Sequence, residues 1–149
     1  MNRVVNLKIS TKGRYALRMA VYLAKHQCDE YVSLKAIAES EDISKKYLEQ
    51  IVPMLNRAGL LRTTRGNKGG YLLTKKAGEI TVGDILRATE GSLAPVACLE
   101  YEVNDCPRKA QCSTIFVWEG LYQQITSYLD SITVQDIADR DGNGDDYSI

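Results

Sequence analysis

One histidine, His26, is all that 149 residues provide. An imidazole-based catalytic triad would have to use it, and its neighbours Ala24, Lys25 and Gln27 offer nothing to support one. No uninterrupted apolar run approaches the roughly 20 residues that a membrane helix needs, so no partner membrane is expected. The opening segment, residues 1–15, is basic but lacks the apolar centre of an export signal, so the cytoplasm is the expected location. The nucleotide-loop spacing G-x-x-x-x-G-K-[ST] is missing, and so is the C-x2-C spacing of structural zinc sites. No internal repeat is present.

What is there is ordinary in bulk and uneven in arrangement. At 44% hydrophobic and 26% charged, the chain reads neither as disordered nor as a membrane protein, and its length suits one domain with an appendage. The net charge of zero conceals a division. Residues 1–78 hold 15 Lys and Arg against 6 Asp and Glu, whereas residues 79–149 hold 4 against 13. A basic half is the electrostatic footprint of a polyanionic partner; the acidic half would repel that partner and must serve another end.

Helical periodicity organises the basic half. Residues 12–26 place Tyr15, Met19, Tyr22 and Leu23 on one face. Ser33 is placed to cap a short helix, LKAIAESE, and Ser44 to cap a second, KKYLEQIVPMLNRAG, with a tight connection at Asp42-Ile43. Leu48, Ile51, Val52 and Leu55 form the second helix's apolar stripe, Pro53 predicts a kink, and Gly59 predicts its end. Two short helices joined by three or four residues make a helix-turn-helix. Residues 60–74 then read as strand, glycine-rich turn and strand, a hairpin placed where a wing would be. No helix follows the turn to offer its N-terminus to a phosphate, which weighs against a nucleotide loop.

Thr81 and Asp84 are spaced as a capping box for a helix ending near Glu90-Gly91. Residues 92–112 look irregular. A long helix is predicted from about 113 to 131, with Ile115, Trp118, Tyr122, Ile125, Leu129 and Ile132 in a heptad stripe. Such a stripe suits pairing with a second helix, or burial against the helix's own domain. Thr133 to Asp136 caps a last short helix. The expected fold is mainly α with a small β-hairpin: a winged helix-turn-helix plus a long dimerisation helix. Its parts are a DNA-binding domain at 8–91, a cysteine-bearing sensor loop at 92–112, a dimerisation region at 113–138 and a flexible acidic tail at 139–149.

In a helix-turn-helix the second helix enters the major groove of double-stranded DNA by its N-terminal residues. Ser44, Lys45, Lys46, Tyr47, Glu49 and Gln50 are the candidates. Glu and Gln read base edges, while Lys45 and Lys46 suit phosphates. Arg65 and Lys68 in the turn would reach a minor groove or its phosphates, with Gly66 allowing close backbone approach. Lys12 and Arg14, at the start of the first helix, are placed to clamp phosphate. Cys98, Cys106 and Cys112 form a C-x7-C-x5-C series, which in a chain without an export signal points to metal or redox chemistry. A thiol enzyme would need an acid or base beside them, and none presents itself, so catalysis is not expected. Cys28 reads as an apolar residue at a helix end.

The segments KISTKGRYALRMAVYLA, ISKKYLEQIVPMLNRAGLL, RTTRGNKGGYLL and ITVGDILRATEG together resemble the bacterial winged-helix regulators of the IscR/NsrR/CymR type, the Rrf2 family. The resemblance covers Lys8 to Ala138, and its YLEQ and RG-x-x-GGY motifs are specific. It implies a homodimer on a pseudo-palindromic promoter site, with Ser44, Lys46, Tyr47, Glu49 and Gln50 on the recognition helix and Arg65 and Gly66 in the wing. It implies a [2Fe-2S] cluster on Cys98, Cys106 and Cys112 as the sensing element. The chain departs from the pattern where a fourth ligand is expected: Ile115 stands three residues after the last cysteine, and Arg14 stands where some members carry an acidic residue. Glu100, Glu102 and Asp105 lie on the loop as further donors. Other members lack the cysteine trio and the cofactor, and answer to a protein partner of cysteine metabolism; the acidic tail is closer to theirs.

Overall fold

A computed structural model describes residues 8–26 and 30–142. Cys28 and the last residues of the acidic tail, 143–149, lie outside them. Helix α1 spans Thr11–Lys25, α2 Leu34–Glu41 and α3 Lys45–Arg57; the hairpin strands are β1, Leu61–Thr64, and β2, Gly70–Leu73. Then come α4 (Val82–Glu90), α5 (Ile115–Asp130) and α6 (Val134–Gly142). Loop 92–112 carries two short 3-10 turns, Ala97–Leu99 and Lys109–Gln111.

Serine and threonine caps start α2, α3, α4 and α6 where the sequence places them, and Ser10 caps α1. Ser10, Ser33 and Ser44 each accept from the backbone N–H three residues on, satisfying a donor that the first helical turn leaves orphaned. Thr81 and Asp84 bond reciprocally at 2.9 and 3.0 Å as a capping box, and Thr133 and Asp136 repeat the arrangement at α6. Helix α3 continues through Pro53 for a further turn and ends at Gly59, whose φ of +73° allows the N–H groups of Gly59 and Leu60 to bond the carbonyls of Asn56 and Leu55.

Apolar periodicity becomes one core. Met19 and Leu23 of α1, Ile37 of α2, Leu48, Ile51 and Leu55 of α3 and Ile85 of α4 are all essentially inaccessible to solvent. Helix α6 returns to this core through Val134 and Ala138 and packs against α1. The hairpin pairs Leu61 with Leu73 and Thr64 with Gly70. A bridge between Val32 and Tyr71, with bonds of 3.0 and 2.8 Å, fastens it to the segment before α2. Gly70 lies so close to the Val32 carbonyl that a Cβ there would collide with backbone, so the wing root requires glycine.

Helix α5 leans on α4, with none of its residues fully buried. The heptad stripe divides. Tyr122, Ile125, Leu129 and the following Ile132 pack on Val82, Leu86 and Leu93 of the same chain, while Ile115 and Trp118 lie outside that cluster. The outward face carries Phe116, Val117 and Tyr128, all exposed.

Candidate nucleic-acid interface and thiol loop

Leu48, Ile51, Val52 and Leu55 turn one side of α3 into the core, and the helical repeat therefore turns Lys45, Lys46, Glu49 and Gln50 outward, where all four are exposed. These are two cations and two side chains of the types able to read base edges, on the first two turns of the helix. The wing tip presents Arg65 and Lys68 to solvent, with Gly66 at φ +111° making the turn. Arg14 is exposed and donates to the Thr11 hydroxyl at 3.2 Å, while Lys12 is half-buried.

Two of the expected contact residues have structural tasks. The Ser44 hydroxyl accepts from the Tyr47 N–H at 3.0 Å as the cap of α3. The Tyr47 ring turns back toward α1 and meets Tyr15 edge-on, with centroids 5.4 Å apart. Sequence periodicity does not reveal one further group on this side of the fold: Arg18 of α1, paired with Glu41 at the end of α2. Its signal is a contact between residues 23 positions apart, which no local pattern carries. His26 is similarly accounted for: it ends α1, stacks on Tyr22 at 4.0 Å and holds the Tyr22 carbonyl through Nδ1 at 2.8 Å.

The thiol loop is less ordered toward a purpose. Cys98, Cys106 and Cys112 are free and half-buried. The Cys106 N–H donates to Asn104 Oδ1 at 2.9 Å. Cys112 lies just before α5, 3.6 Å from the Thr114 hydroxyl. That hydroxyl, the backbone N–H groups of Thr114 and Ile115 and the charge of Arg108 hold its thiol below the ordinary cysteine range. Among the described residues no group of three or more His, Cys, Asp or Glu is gathered to hold a metal ion. Among the described residues the trio offers three soft donors, one short of the four protein ligands that a [2Fe-2S] cluster normally takes. As placed, the set does not fit a cluster.

A helix-turn-helix with a hairpin wing fixed to its body defines a winged-helix DNA-binding protein. Residues 9–140 match the Rrf2 family, described as iron-dependent transcriptional regulators. The chain belongs to that family, and its function is transcriptional regulation rather than catalysis. It is 41% identical to the transcriptional regulator CymR of Bacillus subtilis, over 95% of this chain and 97% of that protein. The solved structure of that regulator, described as the global cysteine regulator, superposes with a TM-score of 0.71 at 39% identity, covering 89% of this chain and 96% of the other. The regulator IscR of Pectobacterium atrosepticum is 35% identical over 90% of this chain and 80% of its own length. No helix among the described residues is long and apolar enough to cross a membrane.

Proposed function

We propose that the chain works as a homodimer on a pseudo-palindromic promoter site, with one α3 in the major groove of each half-site and the wing on the flanking backbone or minor groove. The observation that carries this reading is the outward face of α3, where Lys45, Lys46, Glu49 and Gln50 stand exposed, as do Arg65 and Lys68 of the wing. The outward face of α5 supports the dimer. Phe116, Val117 and Tyr128 are exposed there, and a Cβ added at Gly120 would meet nothing in the chain. A mid-helix glycine costs about 1 kcal/mol against alanine, so a glycine at this open position fits close approach of a partner helix. Operator affinity, measured across a salt series, is expected to fall steeply as counterion release weakens. Arg65→Ala should weaken every duplex and shallow that dependence, whereas Glu49→Ala should blur sequence preference. A salt-insensitive affinity would overturn the reading.

The effector element we assign to loop 92–112, at the root of α5. A [2Fe-2S] cluster on Cys98, Cys106 and Cys112 is supported by the thiol trio, the family's iron-dependent description and the IscR relatives. Against it stand the absence of a fourth ligand gathered with the trio among the described residues and the spread of the thiols themselves, and the similarity to CymR favours control without a cofactor, by thiol oxidation or a protein partner of cysteine metabolism. Anaerobic reconstitution with iron and sulfide, beside a Cys106→Ala variant, separates the two. Iron bound above the variant's level assigns the cluster; equal iron assigns the cofactor-free reading.

A further inference from the structure

We propose that Arg18 is a positioning residue for operator recognition: it locks the turn of the helix-turn-helix to α1 and meets no DNA itself. The inference rests on α3 being the recognition helix. Glu41 is the last residue of α2, so its carbonyl has no partner within the helix. Arg18 Nη2 donates to that carbonyl, and Nε and Nη2 reach the Glu41 carboxylate at 3.3 and 3.2 Å. One guanidinium thus satisfies the carbonyl, the charge and the negative end of the α2 dipole together. Asp42 follows at once in the left-handed conformation, φ +53°, and α3 starts three residues later. On the other flank of the turn, Tyr15 holds Tyr47 of α3 edge-on, and the Arg18 guanidinium lies 5.3 Å from the Tyr15 ring centroid. Arg18 therefore ties α1 to the exit of α2 and, through Tyr15, to the entry of α3. An angular error at this turn would move the base-reading side chains in the groove while leaving the charge of the surface intact.

The competing role for an exposed arginine in a basic half is a phosphate contact, and the two roles predict opposite signs for Glu41. If Arg18 contacts phosphate, removing the Glu41 carboxylate frees it and deletes a negative charge near DNA, so binding tightens. If Arg18 is a clamp, the same change loosens the turn and operator binding weakens. The probe is a duplex enriched by the wild-type protein from a random library, compared with a scrambled duplex of equal length.

Arg18→Gln and Glu41→Ala are each expected to weaken the enriched duplex roughly fivefold, the scale of a single exposed ion pair, and to leave the scrambled duplex within about twofold. The slope of log affinity against log salt should stay unchanged, and the double variant should be no worse than the singles. Arg18→Lys, which keeps the charge but loses the planar fork, should behave like Arg18→Gln. The clamp is overturned if Glu41→Ala tightens operator binding, if Arg18→Gln lowers the salt slope and weakens both duplexes equally, or if neither variant changes anything. If the wild type enriches no duplex at all, it is the recognition-helix reading that fails, and the clamp with it.

Discussion

Helices α3 and α5, 13 and 16 residues long, are built in opposite ways. Helix α3 has a serine cap, a stripe of four buried side chains and a glycine stop, so its place is fixed by its own chain several times over. Helix α5 has no side-chain cap and no fully buried residue, and it exposes Phe116 and Tyr128 at 70% and 66%. Most helical stability comes from packing an apolar face rather than from propensity. The contrast therefore separates an element finished within one chain from one left open on a face, which suits a reader of DNA and a joint between copies respectively.

The largest effect is expected where α3 is anchored by its buried stripe. Leu48→Ala, at 0% exposure, should cost about 2–5 kcal/mol through lost transfer energy and the cavity left behind. The melting temperature should then drop by roughly 2–4 °C per kcal/mol. A loss below about 1 kcal/mol would mean that α3 is not anchored by its buried stripe.

Next in size is the open face of α5. Val117→Asp should leave the helical circular dichroism of the chain intact but place a charge in the dimer seam, giving monomers by light scattering and at least about tenfold weaker operator binding, since two half-sites need two linked helices. Ile125→Asp is the contrasting change. Ile125 packs on the Val82, Leu86 and Leu93 cluster of its own chain, so that variant should destabilise the fold itself. An unaltered dimer with Val117→Asp would remove the outward face from the interface.

The same division governs what the sequence makes legible. The helix boundaries of α1 to α4, the wing and the Thr81 box follow from caps and apolar periods within a few residues of one another, and they stand as read. The stripe on α5 is visible as apolar, but no period tells which apolar residues a chain covers with its own α4. Tyr122, Ile125 and Leu129 go inward, Trp118 of the same stripe stays exposed, and Phe116, Val117 and Tyr128, off the stripe, are exposed as well. The links that orient the helices join distant positions: Ser10 to Glu90 at 2.6 Å, Arg18 to Glu41, Arg87 to Asp130. Each is an ordinary surface residue until the chain folds. The cysteine order is plain in the sequence, but the arrangement of the thiols depends on loop geometry that spacing does not encode.

A smaller effect tests whether α4, the helix on which α5 leans, is fixed locally. Thr81→Ala removes one half of the capping box and exposes the Asp84 N–H, for a loss of about 1 kcal/mol in chemical denaturation. Because Asp84 would keep its bond to the residue 81 backbone, Thr81→Ser should restore most of that loss. Failure of serine to restore it would assign the effect to the threonine methyl rather than to the cap.

The smallest effect concerns the ion pair of Arg87 and Asp130, which ties α5 to α4. Arg87 Nη1 and Nη2 meet the two oxygens of Asp130 at 2.9 and 2.6 Å, and Thr81 adds a bond of 3.3 Å to the same carboxylate. The Arg87 hydrogen bonds hold Asp130 below the usual carboxylate range, and Asp130 in turn raises Arg87. A carboxyl depressed on folding contributes stability that is fully present above its unfolded pKa, about 3.9, and is lost as pH falls through the lower folded value. Both side chains are about 40% exposed, so solvent screening limits the pair to about 1 kcal/mol or less. Wild type should therefore melt up to about 3 °C above Asp130→Asn at pH 7. The gap should hold down to about pH 5 and close on further acidification as the carboxylate protonates. High salt should narrow it at neutral pH as well, because the pair is partly exposed. A gap that persists undiminished in strong acid would show that Asp130 acts through packing rather than charge, and the link between the two helices would then lie in the Val82, Leu86 and Leu93 cluster alone.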